Sequence, residues 1–182
     1  MARPLRIEYE GALCHVTSRG NAGAEIYDDD VDREYCVSLL DRIRKKHQPI
    51  FHAYIVMPNH YHFMIETPLA NLSEILHNVN STYTTYFNRR HKRIGHLFQG
   101  RYKAIVVEKD SYLLELSRYI HLNCIRAGLM EELEEYSWSS YPAYIGKVSK
   151  PPWLEVDWCL SHFGGSRKGA VEEFITFVHD GI

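Results

Sequence analysis

The sequence predicts an α+β protein with a largely antiparallel sheet and helices on one face of it. Three observations predict this class: short segments that alternate apolar and polar residues, longer segments with apolar residues at helical spacing, and turn residues between them. The predicted order of elements, β-α-β-β-α-β-α, is typical of a ferredoxin-like sheet. With 182 residues, the chain is long enough for one domain with its own core and a short extension.

The first half of the chain is predicted to contain three strands and one helix. Alternating residues over 12–18 predict the first strand. Three consecutive aspartates at 28–30 are candidate N-caps for a helix that ends near His47, where basic residues suit the negative end of the helix dipole. Residues 50–56 and 60–67 then form two strands, because a Met-Pro-Asn tight turn separates them.

The second half of the chain is predicted to contain the fourth strand and three helices. Glycines and prolines mark the breaks between these elements, and Gly128 ends the helix that precedes it. The elements are a helix from Asn71 or Ser73 to about Arg90, a strand from Tyr102 to Glu108, a helix opened by Asp110 or Ser111 and running from Tyr112 to about Ala127, and a short helix from about Arg167 to His179.

Composition excludes several classes of protein. The sequence is 45% hydrophobic and 24% charged, which is ordinary for a globular protein, and no run of about 18 apolar residues could span a membrane. The four cysteines are scattered without a CxxC pair, as in proteins whose thiols stay reduced. The N-terminus lacks the apolar core of a signal peptide. We therefore expect a cytoplasmic protein with no membrane span.

Basic residues are concentrated in one part of a chain whose net charge is only −2. No acidic residue lies between Glu74 and Glu108, and aromatic residues alternate with the basic ones there. Basic side chains bind phosphates and exposed aromatic rings stack on unpaired bases, so this zone predicts a local nucleic-acid site; a solvated basic loop is the alternative. The candidate DNA-binding residues are Arg89, Arg90, Lys92, Arg93, Phe98, Arg101, Tyr102 and Lys103.

Two histidines in the third predicted strand form a candidate metal site. His60 and His62 are two residues apart, and side chains alternate along a strand, so both imidazoles lie on one face. Such a pair suits Mg²⁺ or Mn²⁺ beside a phosphate, or Zn²⁺, and leaves coordination positions open for a substrate. The alternative is a merely polar face of the sheet.

The third long helix contains a candidate nucleophile. Tyr119 and Asn123 are four residues apart and therefore project together from one side of the helix. A tyrosine hydroxyl has a pKa of about 10 and needs help to attack a phosphate at neutral pH, which a neighbouring metal ion would supply. Asn123 could complete the metal shell or orient it. Packing in the core is the ordinary alternative for a tyrosine.

Three further histidines have no partner at the spacing of metal ligands. His15 and His52 lie on predicted strands, and His121 lies on the third long helix. We expect them to be hydrogen-bonded core residues or surface residues, with no part in a site.

Together these motifs resemble those of the REP-associated tyrosine transposases, in the HUH superfamily of transposases that process single strands. The resemblance includes the histidine pair, the basic zone and the tyrosine helix. The matching segments are Gly20-Asn21, Met57-Pro58-Asn59-His60-Tyr61-His62, Asn88-Arg89-Arg90-His91, Gly95-His96-Leu97-Phe98-Gln99-Gly100-Arg101-Tyr102-Lys103, Ser117-Arg118-Tyr119-Ile120-His121-Leu122-Asn123 and Arg126-Ala127-Gly128-Leu129.

The resemblance implies an enzyme that nicks and rejoins single-stranded or hairpin DNA with Mg²⁺ or Mn²⁺. It implies that His60, His62 and Asn123 serve the metal, and that Tyr119 forms a 5′-phosphotyrosine link and frees a 3′-hydroxyl. It also implies a catalytic domain at 1–130 with a C-terminal helical extension at 131–182. A homodimer is one of two arrangements that such transposases adopt.

The sequence departs from the family pattern at two positions. Cys124 stands where a proline usually follows the asparagine, and Tyr61 stands between the two histidines where a bulky apolar residue is common. Tyr61 is expected to point into the core, and Cys124 alters the end of the helix without touching the chemistry.

Two other functions are compatible with the same residues. One is a domesticated protein that binds hairpin DNA or RNA without turnover. The other is a metal-dependent phosphoesterase that uses water, with Tyr119 in a structural role. A purely binding protein would need neither the histidine pair nor Tyr119 and Asn123, so the nicking enzyme is the leading hypothesis.

Overall fold

The fold is a four-stranded antiparallel sheet with helices on both faces. A computed structural model of the protein describes residues 8–107 and 112–182. The strands are β1 (Ala12–Arg19), β2 (Ile50–Met57), β3 (His60–Thr67) and β4 (Lys103–Val106), in the spatial order β2-β3-β1-β4. The helices are α1 (Asp30–His47), α2 (Leu72–Arg90), α3 (Leu113–Arg126), α4 (Tyr141–Tyr144), α5 (Asp157–Ser161) and α6 (Arg167–His179), with 3₁₀ turns at Asn21–Gly23 and Leu133–Glu135.

The predicted class and the order of elements are confirmed. The prediction of helices on one face is wrong, because α2 contacts Tyr61 on one face and α3 contacts His62 on the other. The fourth strand is shorter than predicted, because it begins at Lys103 and ends at Val106. The predicted end of this strand at Glu108 and the predicted helix caps Asp110 and Ser111 lie outside the described residues. Among the described residues, no helix is long and apolar enough to cross a membrane.

The sheet separates two chemically different faces. Tyr61 is fully buried and its hydroxyl donates to Asn80 on α2, so the predicted inward direction of Tyr61 is confirmed. His62, the next residue, packs its ring against Tyr119 of α3 on the opposite face. The period-two alternation of a strand therefore sends the aromatic core residue and the candidate ligand in opposite directions.

A buried carboxylate links the start of α1 to the end of α2. Asp29 caps α1 by accepting a hydrogen bond from the Asp32 amide, as the aspartate cluster predicts. Asp32 itself is 0% exposed, and Arg90 compensates its charge at 2.6 Å, with His91 at 2.8 Å. Removal of one partner would leave a buried charge unpaired, so we expect such a substitution to destabilise the packing of α1 against α2.

The segment that follows α3 covers the outer edge of β2. The Val56 amide donates to the Trp138 carbonyl at 2.8 Å, and the Ser140 amide donates to the Tyr54 carbonyl at 2.9 Å. Farther along, the Glu155 amide donates to the Phe51 carbonyl. An open edge strand is a template for unwanted pairing, and these hydrogen bonds remove that hazard from β2.

His121 attaches the inner side of α3 to this C-terminal segment. It is fully buried, its Nε2 lies 2.8 Å from the Ser140 hydroxyl, and the rings of Tyr144 and Phe174 contact it. Burial lowers the pKa of His121 to about 3, so the imidazole is neutral at physiological pH. The outer side of α3, which includes Tyr119, faces the site described next.

Candidate active site

One cavity of about 540 Å³ contains the residues that the sequence singles out for chemistry. β3 contributes His60 and His62, and α3 contributes Tyr119 and Asn123. Strand β1 and the segment that leads into β4 contribute basic residues to the same wall. The lining residues are Thr17, Ser18, Arg19, His60, His62, Gln99, Arg101, Lys103, Tyr119 and Asn123.

His60 is oriented by its neighbour Asn59. The Asn59 side-chain amide donates to the Gly23 carbonyl at 3.0 Å, which leaves its oxygen as an acceptor 2.7 Å from His60 Nδ1. Because that oxygen can only accept, Nδ1 of His60 holds the proton, and the neutral ring keeps its lone pair on Nε2. A metal-binding imidazole requires this arrangement.

The loop beneath Asn59 requires glycine at position 20. The Gly20 amide donates to the Asn59 carbonyl at 2.8 Å. A Cβ at Gly20 would lie 2.0 Å from the Ala24 carbonyl oxygen and 2.9 Å from the side chain of Ile26. The close approach of two backbone segments, and not an unusual φ, therefore excludes every other residue here.

His62 is more deeply buried and contacts a third histidine. His62 is 6% exposed, and its Nδ1 lies 2.8 Å from Nε2 of His15 on β1. The centres of these two nearly coplanar rings are 5.1 Å apart, and the His60 ring lies 4.9 Å from that of His62. His15 is therefore hydrogen-bonded, as the sequence predicts, but it lies against the candidate site, which the sequence analysis missed.

The three imidazoles are held in their neutral form. Burial, together with the neighbouring rings of His15 and His60, lowers the pKa of His62 to about 3. Burial also lowers the pKa values of His15 and His60, and the Arg19 guanidinium adds to the effect at His60. Neutral imidazoles are the form that binds a metal ion.

Tyr119 and Asn123 face these histidines from α3. The Tyr119 ring is 38% exposed and meets the rings of His62 and His15 edge-on, at 5.7 and 5.6 Å. The Asn123 amide nitrogen donates to the Tyr119 carbonyl at 2.7 Å, so its oxygen is the atom left to accept or to bind a cation. The guanidinium of Arg126 lies 5.6 Å from the centre of the Tyr119 ring.

The donor set fits a divalent ion that the protein coordinates only in part. Within residues 8–107 and 112–182, no group of three or more His, Cys, Asp or Glu side chains is placed to hold a metal. Two neutral imidazoles whose Nδ1 atoms are already engaged, with one amide oxygen on the facing helix, would leave positions for water and phosphate oxygens. Mg²⁺ and Mn²⁺ tolerate such partial coordination.

The candidate DNA-binding residues fall into two groups. Arg101 and Lys103 line the cavity beside Arg19, which the sequence analysis had not selected. Arg89 and Arg90 line a separate groove between α1 and α2, and Arg90 is paired with Asp29 and Asp32. The alternation of side chains along β1 could have indicated Arg19. It lies four residues after His15 and therefore on the same face of the strand.

The remaining four candidates belong to neither group. Lys92 is exposed, and the Arg93 guanidinium lies 5.4 Å from the centre of the Phe87 ring. Phe98 and Tyr102 are each only 8% exposed, and the Tyr102 hydroxyl lies 3.1 Å from that of Ser73. Base stacking on either ring would need the ring to move outward, and it stays a prediction.

The chain is similar to known proteins in sequence and in fold. The family model described as “Transposase IS200 like” matches residues 9–123. A solved structure of a REP-associated tyrosine transposase bound to a REP hairpin superposes with a TM-score of 0.67 at 14% identity, over 83% of this chain and 89% of that one. A putative transposase from Deinococcus radiodurans R1 gives a TM-score of 0.46 at 15% identity, over 65% of this chain and 95% of that one. No curated protein matches the chain.

Proposed function

The chain belongs to the family of IS200-like transposases, and from that premise we propose that it cuts and rejoins single-stranded DNA beside hairpins through a covalent link to Tyr119. The observation that carries the proposal is the single cavity lined by His60, His62, Tyr119 and Asn123. These side chains come from two elements far apart in sequence. If each of the four side chains had only a structural role, nothing would require them to line the same cavity.

In the proposed reaction, Tyr119 Oη attacks a backbone phosphorus. The new Oη–P bond forms as the P–O3′ bond breaks, which leaves a 5′-phosphotyrosine on the protein and a free 3′-hydroxyl on the DNA. Attack on that phosphotyrosine by a 3′-hydroxyl, from the same strand or another, restores the phosphodiester and releases Tyr119. The exposure of Tyr119 allows a DNA strand to reach its hydroxyl.

His60, His62 and Asn123 would hold the divalent ion. When bound, Mg²⁺ or Mn²⁺ would polarise the scissile phosphate and offset the charge that develops there. Arg19, Arg101 and Lys103 line the same cavity and would attract the flanking phosphates. The edge-on contacts of Tyr119 with His15 and His62 hold its ring beside the imidazoles, which brings nucleophile and phosphate together.

The proposed substrate is hairpin DNA with a single-stranded flank. The structurally similar REP-associated tyrosine transposase is bound to a REP hairpin, and the basic zone of this chain supports a nucleic-acid partner of the same kind. The four central residues line one cavity, so we propose that a single chain supplies the whole site. A homodimer and a cytoplasmic location stay predictions.

Covalent capture tests the proposal directly. The full chain is incubated with a pool of single-stranded hairpin DNAs and Mn²⁺, then separated on denaturing gels beside Tyr119→Phe and His60→Ala. We expect a denaturation-resistant adduct that requires Mn²⁺ and is lost in both variants. The trapped DNA is then sequenced to identify the target.

Other outcomes would replace the proposal with a named alternative. An adduct that survives Tyr119→Phe would move the nucleophile, with the exposed Tyr112 next in line. Cleavage without an adduct would favour a phosphoesterase that uses water. Hairpin binding that falls steeply with salt, ignores Mn²⁺ and gives neither product would favour a non-catalytic hairpin-binding protein.

A further inference from the structure

His15 lies beside the candidate metal site because of the pairing of β1 with β3. In this register Thr17 is opposite His62 and His15 is opposite Met64. Residues two apart on a strand share a face, so His15 projects to the same side as His62, one step along the neighbouring strand. The two rings meet edge to edge and nearly in one plane: their centres are 5.1 Å apart, the angle between their planes is 17°, and His15 Nε2 lies 2.8 Å from His62 Nδ1.

Only one of the two possible hydrogen bonds between these rings is compatible with metal binding. If His15 Nε2 held the proton and donated it, Nδ1 of His62 would be the acceptor and the proton of the neutral His62 ring would occupy Nε2. If His62 Nδ1 donates instead, its Nε2 keeps a lone pair. His62 lines the cavity, so the direction of this one hydrogen bond decides whether its ring can act as a ligand.

We propose that His15 is a positioning residue for the divalent ion: it accepts the hydrogen bond from His62 Nδ1 and so keeps Nε2 of His62 unprotonated and correctly oriented. This inference rests on the proposed function, because it requires the ion at His60 and His62. It assigns to His15 the role that a carboxylate or carbonyl has behind most metal-binding histidines.

The position of the ring proton is determined more firmly at His60 than at His62. Asn59 presents an oxygen to His60, and an oxygen without a proton can only accept. His15 presents a ring nitrogen to His62, which can accept or donate according to its tautomer. Substitution of His15 therefore has a specific consequence at His62, and a side chain that can still accept the hydrogen bond should restore it.

Binding of Mn²⁺ to the full chain without DNA tests the proposal independently of activity. Free Mn²⁺ is measured by electron paramagnetic resonance during titration of wild type, His15→Phe and His15→Gln. Phenylalanine keeps a ring against His62 and Tyr119 but accepts no hydrogen bond, so we expect Mn²⁺ affinity to fall by about 10–100-fold. Glutamine has an amide oxygen that can accept from Nδ1, and we expect it to recover most of the affinity.

Controls separate this role from a structural one. His77→Phe makes the same substitution at an exposed position of α2, on the other face of the sheet, and should leave the Mn²⁺ titration unchanged. Thermal unfolding in the presence of a chelator shows whether each variant is folded. If His15→Phe does not fold, the ¹⁵N NMR signals of the histidine rings in wild type with Mg²⁺ decide: protonated Nδ1 on His62 supports the proposal, and protonated Nε2 on His15 overturns it.

The failure of this inference is distinguishable from that of the proposed function. Wild-type binding of Mn²⁺ that is lost in His62→Ala but equal in His15→Phe would overturn the role of His15 alone. Wild type that binds no more Mn²⁺ than His60→Ala and His62→Ala would overturn both, because no ion would then be held at these histidines.

Discussion

The two walls of the cavity are constructed in different ways. On the strand wall, hydrogen bonds within the sheet and its loops hold each metal-facing imidazole: Asn59 at His60 and His15 at His62. On the helix wall, Tyr119 is more than one third exposed, and the Asn123 side chain donates hydrogen bonds to the backbone of its own helix. The strand wall is preformed, and the helix wall is open.

This difference matches two chemical requirements. A ligand for a metal ion must be neutral, oriented and protected from protonation, which favours burial behind hydrogen-bonding partners. A nucleophile that attacks a polymer must be reachable by the polymer and must accommodate a covalent product. We therefore expect substitutions of the strand-wall histidines to change metal affinity, and substitution of Tyr119 on the helix wall to change chemistry alone.

The largest expected effect is a difference between Tyr119→Phe and His62→Ala, which should separate adduct formation from metal binding. Tyr119→Phe should lower the rate of adduct formation by about a thousandfold or more and leave Mn²⁺ affinity at the wild-type value. His62→Ala should lower both. Denaturing gels and Mn²⁺ titrations on the same preparations measure the two quantities. Loss of Mn²⁺ affinity in Tyr119→Phe would show that Tyr119 also helps to hold the ion, and the contrast would break.

The next largest effect concerns the loop that supports the strand wall. Gly20→Ala would place a Cβ 2.0 Å from the Ala24 carbonyl oxygen, so the loop behind Asn59 must shift. We expect the free energy of unfolding in urea to fall by about 3 kcal/mol, together with weaker Mn²⁺ binding.

Gly169→Ala is the matched control for this substitution. Its Cβ would meet the nearest atom, Ser166 Oγ, at an ordinary 3.5 Å within α6. Alanine is favoured over glycine inside a helix, so stability should rise by a few tenths to about 1 kcal/mol. Equal effects at the two glycines would contradict the steric argument for Gly20.

The third prediction concerns His121, on the buried side of α3, and the way the free energy of unfolding depends on pH. The folded-state pKa of His121 is about 3 and its ordinary value is 6.5, so between these values the unfolded chain binds a proton that the folded chain does not. Stability should therefore fall as pH falls below about 6.5, by about 1.4 kcal/mol per pH unit for each such histidine. His62 has the same pKa and adds to the slope.

His121→Gln should remove one proton from this dependence. Glutamine does not titrate in this range and can still hydrogen-bond to Ser140. Urea denaturation at several pH values between 5 and 7, with a chelator present, measures the slope, and the exposed His77→Gln is the control. A slope in His121→Gln equal to that of wild type would show that His121 takes up its proton within the folded protein.

The smallest expected effect concerns the contact between Arg126 and Tyr119 on the helix wall and its influence on the rate of adduct formation. Arg126 lies 5.6 Å from the Tyr119 ring, a contact worth about 0.5–1 kcal/mol at an exposed site. Arg126→Gln should therefore slow adduct formation about two- to fivefold without changing Mn²⁺ affinity. Arg118→Gln removes an arginine from the same helix that stacks on Phe177 instead, and its rate should stay at the wild-type value. Equal losses in both would indicate a general effect of charge.

The sequence by itself determined the local features of this protein. Aspartates at 28–30 predict the start of α1, and the structure has Asp29 as its cap. A spacing of two places His60 and His62 on one face, and a spacing of four places Tyr119 and Asn123 on one side of α3. These features follow from the periods of strands and helices. Because those periods span only a few residues, the sequence alone predicts their consequences.

Which distant residues these features contact was decided only by the tertiary structure. His15 is 47 residues from His62, and only the register of β1 against β3 makes them neighbours. Arg90 faces Asp29 and Asp32 because α1 packs against α2, although its sequence neighbourhood resembles that of a DNA-binding arginine. Strand register and helix packing depend on which apolar surfaces are buried together, a property of the whole chain that no local pattern encodes.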